Sequence, residues 1–245
     1  MKNKKLNYIK TSILALLVIL ITNNNMFAQG GLVSSVVSLT GNVINEITRL
    51  PETVAITVFD ESGEKVTSTR SIANENGYYY LTGLKTGQNY TVRLKKKDFL
   101  EEMWKFTVAK DGKYVELSHD FLVKPKEINS LIPVAVPPFE FNKSKLRYGA
   151  EFLLEDLKNT LVLNDNVTFQ IVCYPDDNKD QAENQRITDE RAKSLMVYFT
   201  SNGIPATRVT AIGSKTPDTK NPPPTGKLAK GKRYIGPSYI KLTGV

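Results

Sequence analysis

The chain has 245 residues, with 33 Lys and Arg against 25 Asp and Glu, a formal net charge of +8, a single Cys and a single His. One cysteine excludes an internal disulfide, and together with one histidine it nearly excludes a Cys/His zinc site or Cys–His catalysis. Four of the lysines, Lys2, Lys4, Lys5 and Lys10, lie in the first 28 residues, which hold no acid, so the remainder carries only +4. No Arg/Lys tract is interleaved with aromatics, so nucleic acid is not an expected partner.

Those lysines precede the apolar run Ile13 to Ile21, polar Asn23 to Asn25 and then Met26-Phe27-Ala28. This order reads as a secretory signal peptide over residues 1–28, with Gln29 starting the exported chain. The run is about nine residues, roughly half of what a spanning helix needs, so no transmembrane span is expected after cleavage. The roughly 217 residues that remain suit two domains.

From 38 to 123 short alternating runs are broken by turn signals, as in an antiparallel sandwich. Strands are expected at 39–43, 54–59, 67–72, 78–81, 90–94, 104–108 and 114–122, with Asp60-Glu61-Ser62-Gly63, Asn74-Glu75-Asn76-Gly77 and Asp111-Gly112 as turns. Alternation lets only Tyr78 and Tyr80 share a face. Those two are expected in the core, which leaves Tyr79 as the surface aromatic. The frame Gly77, Tyr78, Tyr80, Gly83, Leu84, Gly87, Tyr90 and Val92 resembles the centre of the carboxypeptidase-regulatory-like, or Cna-B-like, repeat. The resemblance implies a transthyretin-like β-sandwich, and an envelope protein is the expected partner of this module.

Residues 124–138 contain Pro125, Pro133, Pro137 and Pro138 and read as a stiff, extended linker that leads toward an edge strand. In 139–245, Phe139 to Asn142 alternates like a strand. Ala150, Leu153, Leu154, Leu157 and Leu161 have helical spacing, and Val167 to Cys173 alternates again. A second helix is expected from about Asn184 to Asn202-Gly203, followed by strands at 209–212 and 238–242. The order βαβαββ makes an α/β sandwich, and the whole chain is a two-domain α+β protein.

Phe139-x-Phe141 with Leu146, then Asp176, then Asn184 to Ala192 with Thr188 and Arg191, then Gly203, Arg208, Gly213 and Pro217 resemble the OmpA-like domain. The resemblance implies non-covalent binding of a peptidoglycan stem peptide, and a periplasmic, outer-membrane-associated tether without catalysis, metal or cofactor. It assigns Asp176 to the ammonium of a diaminopimelate residue and Arg191 to the adjoining carboxylate, a pairing that bidentate guanidinium geometry suits. Asn184 and Thr188 brace the site, and Arg233 is the auxiliary cation. Lys232 to Ile235 and Ser238 to Leu242 compete for the family's last strand. Pro175 stands where the family has Thr, and Lys179 where it often has Gly. A protein-interaction module of an envelope or secretion complex is the alternative.

Overall fold

The computed structural model describes residues 36–110, 116–177, 180–226 and 228–245. The expected signal peptide, the Asp111-Gly112 turn and Lys179 lie outside the described residues.

Two sheets form the first half. In one, β1 (Val36–Asn45) pairs antiparallel with β4 (Tyr78–Lys85) and parallel with β7 (Glu116–Ser118) and β8 (Phe121–Val123). The other is antiparallel, in the order β3 (Lys65–Arg70), β2 (Ala55–Phe59), β5 (Asn89–Lys95), β6 (Glu102–Thr107). Alternate residues such as Val37, Leu39, Ile56, Val58, Val92 and Leu94 fill the space between them. The expected last strand, 114–122, is broken at His119-Asp120, where Asp120 Oδ1 accepts from Asn42 N at 2.8 Å. A short 3-10 turn, Ala73–Glu75, is the one helical element of the described sandwich residues.

The tyrosine run has the opposite phase from that expected. Tyr79 is 1% exposed, whereas Tyr78 and Tyr80 are 42% and 43% exposed. The buried ring packs on Phe121 at 5.7 Å, and its hydroxyl donates to the carbonyl of His119 at 2.7 Å. A buried Tyr needs such an acceptor, and the inward position of Tyr79 supplies one.

The second half is a four-stranded sheet, ordered β11 (Val209–Gly213), β10 (Thr168–Cys173), β12 (Ser238–Gly244), β9 (Leu131–Pro133). Helices α1 (Ala150–Leu163) and α2 (Gln181–Ser201) cover it. β10 and β11 are parallel, which requires a crossover such as α2. Phe169, Ile171, Leu154, Leu161, Leu195 and Phe199 lie in one core. The βαβαββ order is present, but its first strand is Leu131–Pro133 and not Phe139 to Asn142, which makes only the isolated bridge Phe139 to Leu146. Pro137-Pro138 cannot donate to a ladder, and Asn142 at φ 53° turns the chain away. β9 sits at the sheet edge, where Pro133 is tolerated.

The halves are bonded together. Asn164, the C-cap of α1, accepts from Glu101 N at 2.9 Å and donates to Glu101 O at 2.9 Å, and Thr160 donates to Glu102 Oε2 at 2.6 Å. Leu100, from the loop between β5 and β6, is buried in the core of the second half. The segment expected as a linker is fixed at both ends, by Lys126 N to Asp98 O and by the β9 ladder. Asn164→Ala strips two main-chain groups of their partner, at about 1–3 kcal/mol. The expected result is a lower urea midpoint with an unchanged m-value.

Candidate functional site

Helix α2 is started by Asp180, whose Oδ1 accepts from Ala182 N at 2.9 Å and Glu183 N at 3.1 Å. This cap puts the helix start before Asn184, the expected first residue. From there Asn184, Ile187, Thr188, Arg191, Ala192, Leu195 and Phe199 form the buried stripe, so three polar side chains point inward. Asn184 Nδ2 donates to Asp177 O at 2.9 Å, and Thr188 Oγ1 donates to Asn184 O at 2.8 Å and Ser214 O at 2.9 Å. Both side chains tie the helix to neighbouring loops.

Arg191 is 0% exposed. Its guanidinium lies 5.2 Å from the Phe139 ring centroid and is held in a fork: Nη1 to Asp176 Oδ1 at 2.6 Å, and Nη2 to Asp176 Oδ2 at 2.8 Å. Nε donates to Lys143 O at 2.7 Å and Nη2 to Glu140 O at 3.1 Å. Burial of a charge on this scale is tolerable only with such complete pairing.

Asp176 follows β10 and is also buried. Besides the fork, Oδ2 accepts from Asn142 N at 2.7 Å and Oδ1 from Gly236 N at 2.8 Å. A carboxylate has about four acceptor positions, and here four donors fill them. Asp176 and Arg191 therefore meet, but each is turned to the other. Left-handed Asn142 aims its N–H at the carboxylate, a conformation Asn accepts more readily than most residues. Gly236 lies against the loop so closely that a Cβ there would fall 2.1 Å from Tyr174 O and 2.4 Å from Pro175 O. Asn142, Gly236 and the carbonyls of Glu140 and Lys143 are thus parts of the arrangement that side-chain chemistry alone does not reveal.

Beside Asp176 opens a cleft of about 530 Å³, lined by Phe141, Asp177, Pro223, Lys232, Arg233 and Tyr234 among others. Arg233 is exposed, with its guanidinium 5.6 Å from the Phe141 ring centroid. It precedes β12, and Ser238 to Leu242 is the segment that forms the strand. The loop beneath the cleft is pinned where Tyr239 donates to Asp218 Oδ2 at 2.6 Å and Asn221 Nδ2 donates to the Tyr239 hydroxyl at 2.7 Å. Cys173 is buried at the end of β10, and burial pushes its thiol up to about 11, away from thiolate chemistry. Among the described residues no group of three or more His, Cys, Asp or Glu is disposed to hold a metal ion.

Compared with known families, residues 138–230 match the OmpA family. This stretch is an OmpA family domain. Over 77 residues the chain is 38% identical to outer membrane protein A of Shimwellia blattae, an overlap covering 31% of this chain and 32% of that protein. The chain thus matches about a third of that relative's length. Among solved structures it is similar to the peptidoglycan-associated lipoprotein of Burkholderia pseudomallei, at 13% identity and TM-score 0.36, over 43% of this chain and 86% of that one. It is also similar to the OmpA-like domain of FopA1 from Francisella tularensis, at 11% identity and TM-score 0.34, over 66% of this chain and 78% of that one. Of the residues assigned from the sequence, Asp176, Arg191, Asn184 and Thr188 all lie inside the OmpA family domain, while Arg233 lies just beyond the matched stretch. No helix among the described residues is long and apolar enough to cross a membrane.

Proposed function

We propose that the OmpA family domain binds peptidoglycan non-covalently in the cell envelope, and that the chain tethers an envelope or outer-membrane assembly to the wall through it. The observation that carries this reading is the Asp176–Arg191 fork set beside an open cleft rimmed by Arg233 and Lys232. A stem-peptide diaminopimelate carries an ammonium and a carboxylate on one carbon. Its ammonium replaces an amide donor on Asp176, exchanging one charge-assisted hydrogen bond for another, while its carboxylate turns to Arg233. The exchange on Asp176 is close to neutral, and the new charged bond to Arg233 contributes about 1.5–3 kcal/mol, which suits reversible binding. Asn184 and Thr188 hold α2 to the loops and position the fork. The reading involves no bond cleavage and no cofactor, and the β-sandwich is left to contact a protein partner.

A second reading, a protein-interaction module with a closed wall site, is favoured by one observation: every acceptor position of Asp176 is already filled. Co-sedimentation with purified sacculi separates the two. Wild type is expected in the pellet, Arg233→Ala several-fold less, and Asp176→Ala in the supernatant. Equal sedimentation of wild type and all variants, or none by wild type, overturns the wall reading. Arg233 is exposed, so its loss tests binding without testing the fold.

A further inference from the structure

The two halves enclose a second cavity, of about 360 Å³, lined by residues other than those of the Asp176 cleft. We propose that it is a binding site for a small primary aliphatic amine, with the ammonium received by Glu46 and the alkyl stem by the apolar wall.

The charge count leads there. Glu46, Glu102, Asp120 and Asp156 line the cavity against a single cation, Lys124. Lys124 Nζ is 2.9 Å from Glu102 Oε1 but 3.8 Å from Glu46 Oε2, too far for a hydrogen bond. The other oxygen of Glu102 takes the Thr160 hydroxyl. Buried Glu46 and partly buried Glu102 therefore share one ammonium, and Glu46, 8% exposed, has an oxygen that accepts no hydrogen bond at all. A buried acceptor without a donor asks for a partner. The last torsion of a glutamate is soft, so a small rotation turns that oxygen to a donor in the cavity.

The lining selects among donors. Hard divalent cations take six to eight oxygen ligands, and among the described residues the carboxylates are not grouped in threes that could hold one, while Leu94, Phe121, Val134 and Leu157 make up an apolar wall. Stacking of a sugar ring on Trp104 is barred, because His119 covers one face at 3.9 Å and Phe106 lies parallel at 4.5 Å. A short alkyl ammonium meets both the negative charge and the apolar wall. A cavity of this size lies within the range of small-molecule sites.

Burial raises the Glu46 carboxyl above its ordinary 4.5, an effect that Lys124 and Arg49 reduce and Glu102 strengthens. Burial also raises Glu102, partly offset by Lys124. It opposes the charge on Lys124, but the two glutamates more than compensate and hold that ammonium above its usual range. His119 is lowered, chiefly by burial, and so is neutral near pH 7. Amine binding is accordingly expected to weaken as pH falls through the raised Glu46 value.

Titration calorimetry of the exported chain with n-pentylamine, and with n-pentanol as the uncharged isostere, tests the site. The expected result is a Kd of about 1 mM or tighter for the amine, with the alcohol at least roughly tenfold weaker. Glu46→Gln should weaken the amine about ten- to one-hundredfold, the value of one charged hydrogen bond. Leu153→Trp, on the half-exposed α1 face of the cavity, should block it. Absence of amine binding, equal binding of the alcohol, or unchanged binding in folded Glu46→Gln overturns the proposal. Should Glu46→Gln not fold, unchanged binding in Leu153→Trp overturns it alone. None of these outcomes bears on sacculus binding.

Discussion

Replacing Arg191 with alanine is expected to destabilise the chain by about 3–5 kcal/mol, the range for breaking one side of a buried ion pair. The guanidinium satisfies both oxygens of Asp176 and the carbonyls of Glu140 and Lys143, so its removal strands a buried negative charge and two main-chain acceptors together. Arg191→Lys should recover little, since one ammonium cannot reproduce the parallel carboxylate fork and also reach two carbonyls. Urea unfolding followed by circular dichroism measures this directly. A loss below about 1 kcal/mol, the value typical of solvated surface pairs, would mean that the fork is not sealed as described.

Gly236→Ala is the second large effect, at about 3 kcal/mol. The added Cβ meets main-chain oxygens of Tyr174 and Pro175, which cannot swing aside as a flexible side chain would. Accommodating it displaces the 234–237 segment, which costs about 1–3 kcal/mol as overpacking. Displacement also withdraws the Gly236 N–H from Asp176, with a further loss on the scale of a charged hydrogen bond. Neighbouring Ile235 is half-buried, and Ile235→Val removes a methyl group without adding an atom, so it should cost well under half as much by the same unfolding assay. Equal losses at 235 and 236 would contradict the clamp.

Much of the fold was legible because hydrophobic period and turn chemistry agreed along the chain. Six of the sandwich strands lie where alternation puts them, and both helices of the second half follow from their apolar spacing. What failed did so for identifiable reasons. Phe139 and Phe141 alternate like strand residues, but Pro137-Pro138 and left-handed Asn142 deny that segment a ladder, and Leu131–Pro133 takes the edge. Alternation fixes that Tyr79 opposes Tyr78 and Tyr80, yet it cannot say which side is the core; the acceptor at His119 O decides that. Leu100 reaches the other half's core through a contact about which local pattern carries no information.

The site was legible in a different way. Asn184, Thr188 and Arg191 fall on the stripe of α2 that also carries Ile187, Leu195 and Phe199. Polar residues on a core-facing stripe require polar partners, but it was the resemblance, through the spacing of Asp176 and Arg191, and not the stripe that pointed to the pair. That the pair would face each other, with two backbone amides completing the carboxylate shell, was not legible. Those donors come from Asn142 and Gly236, and every residue but proline carries the same N–H.

Two-dimensional ¹⁵N NMR of the full chain, titrated with a soluble diaminopimelate-containing tripeptide muropeptide, tests the wall reading most directly. The account predicts saturable shifts of the Asn142 and Gly236 amides, which now donate to Asp176, and a several-fold higher ligand concentration at half-saturation in Arg233→Ala. Unmoved Asn142 and Gly236 signals at saturating muropeptide would contradict it.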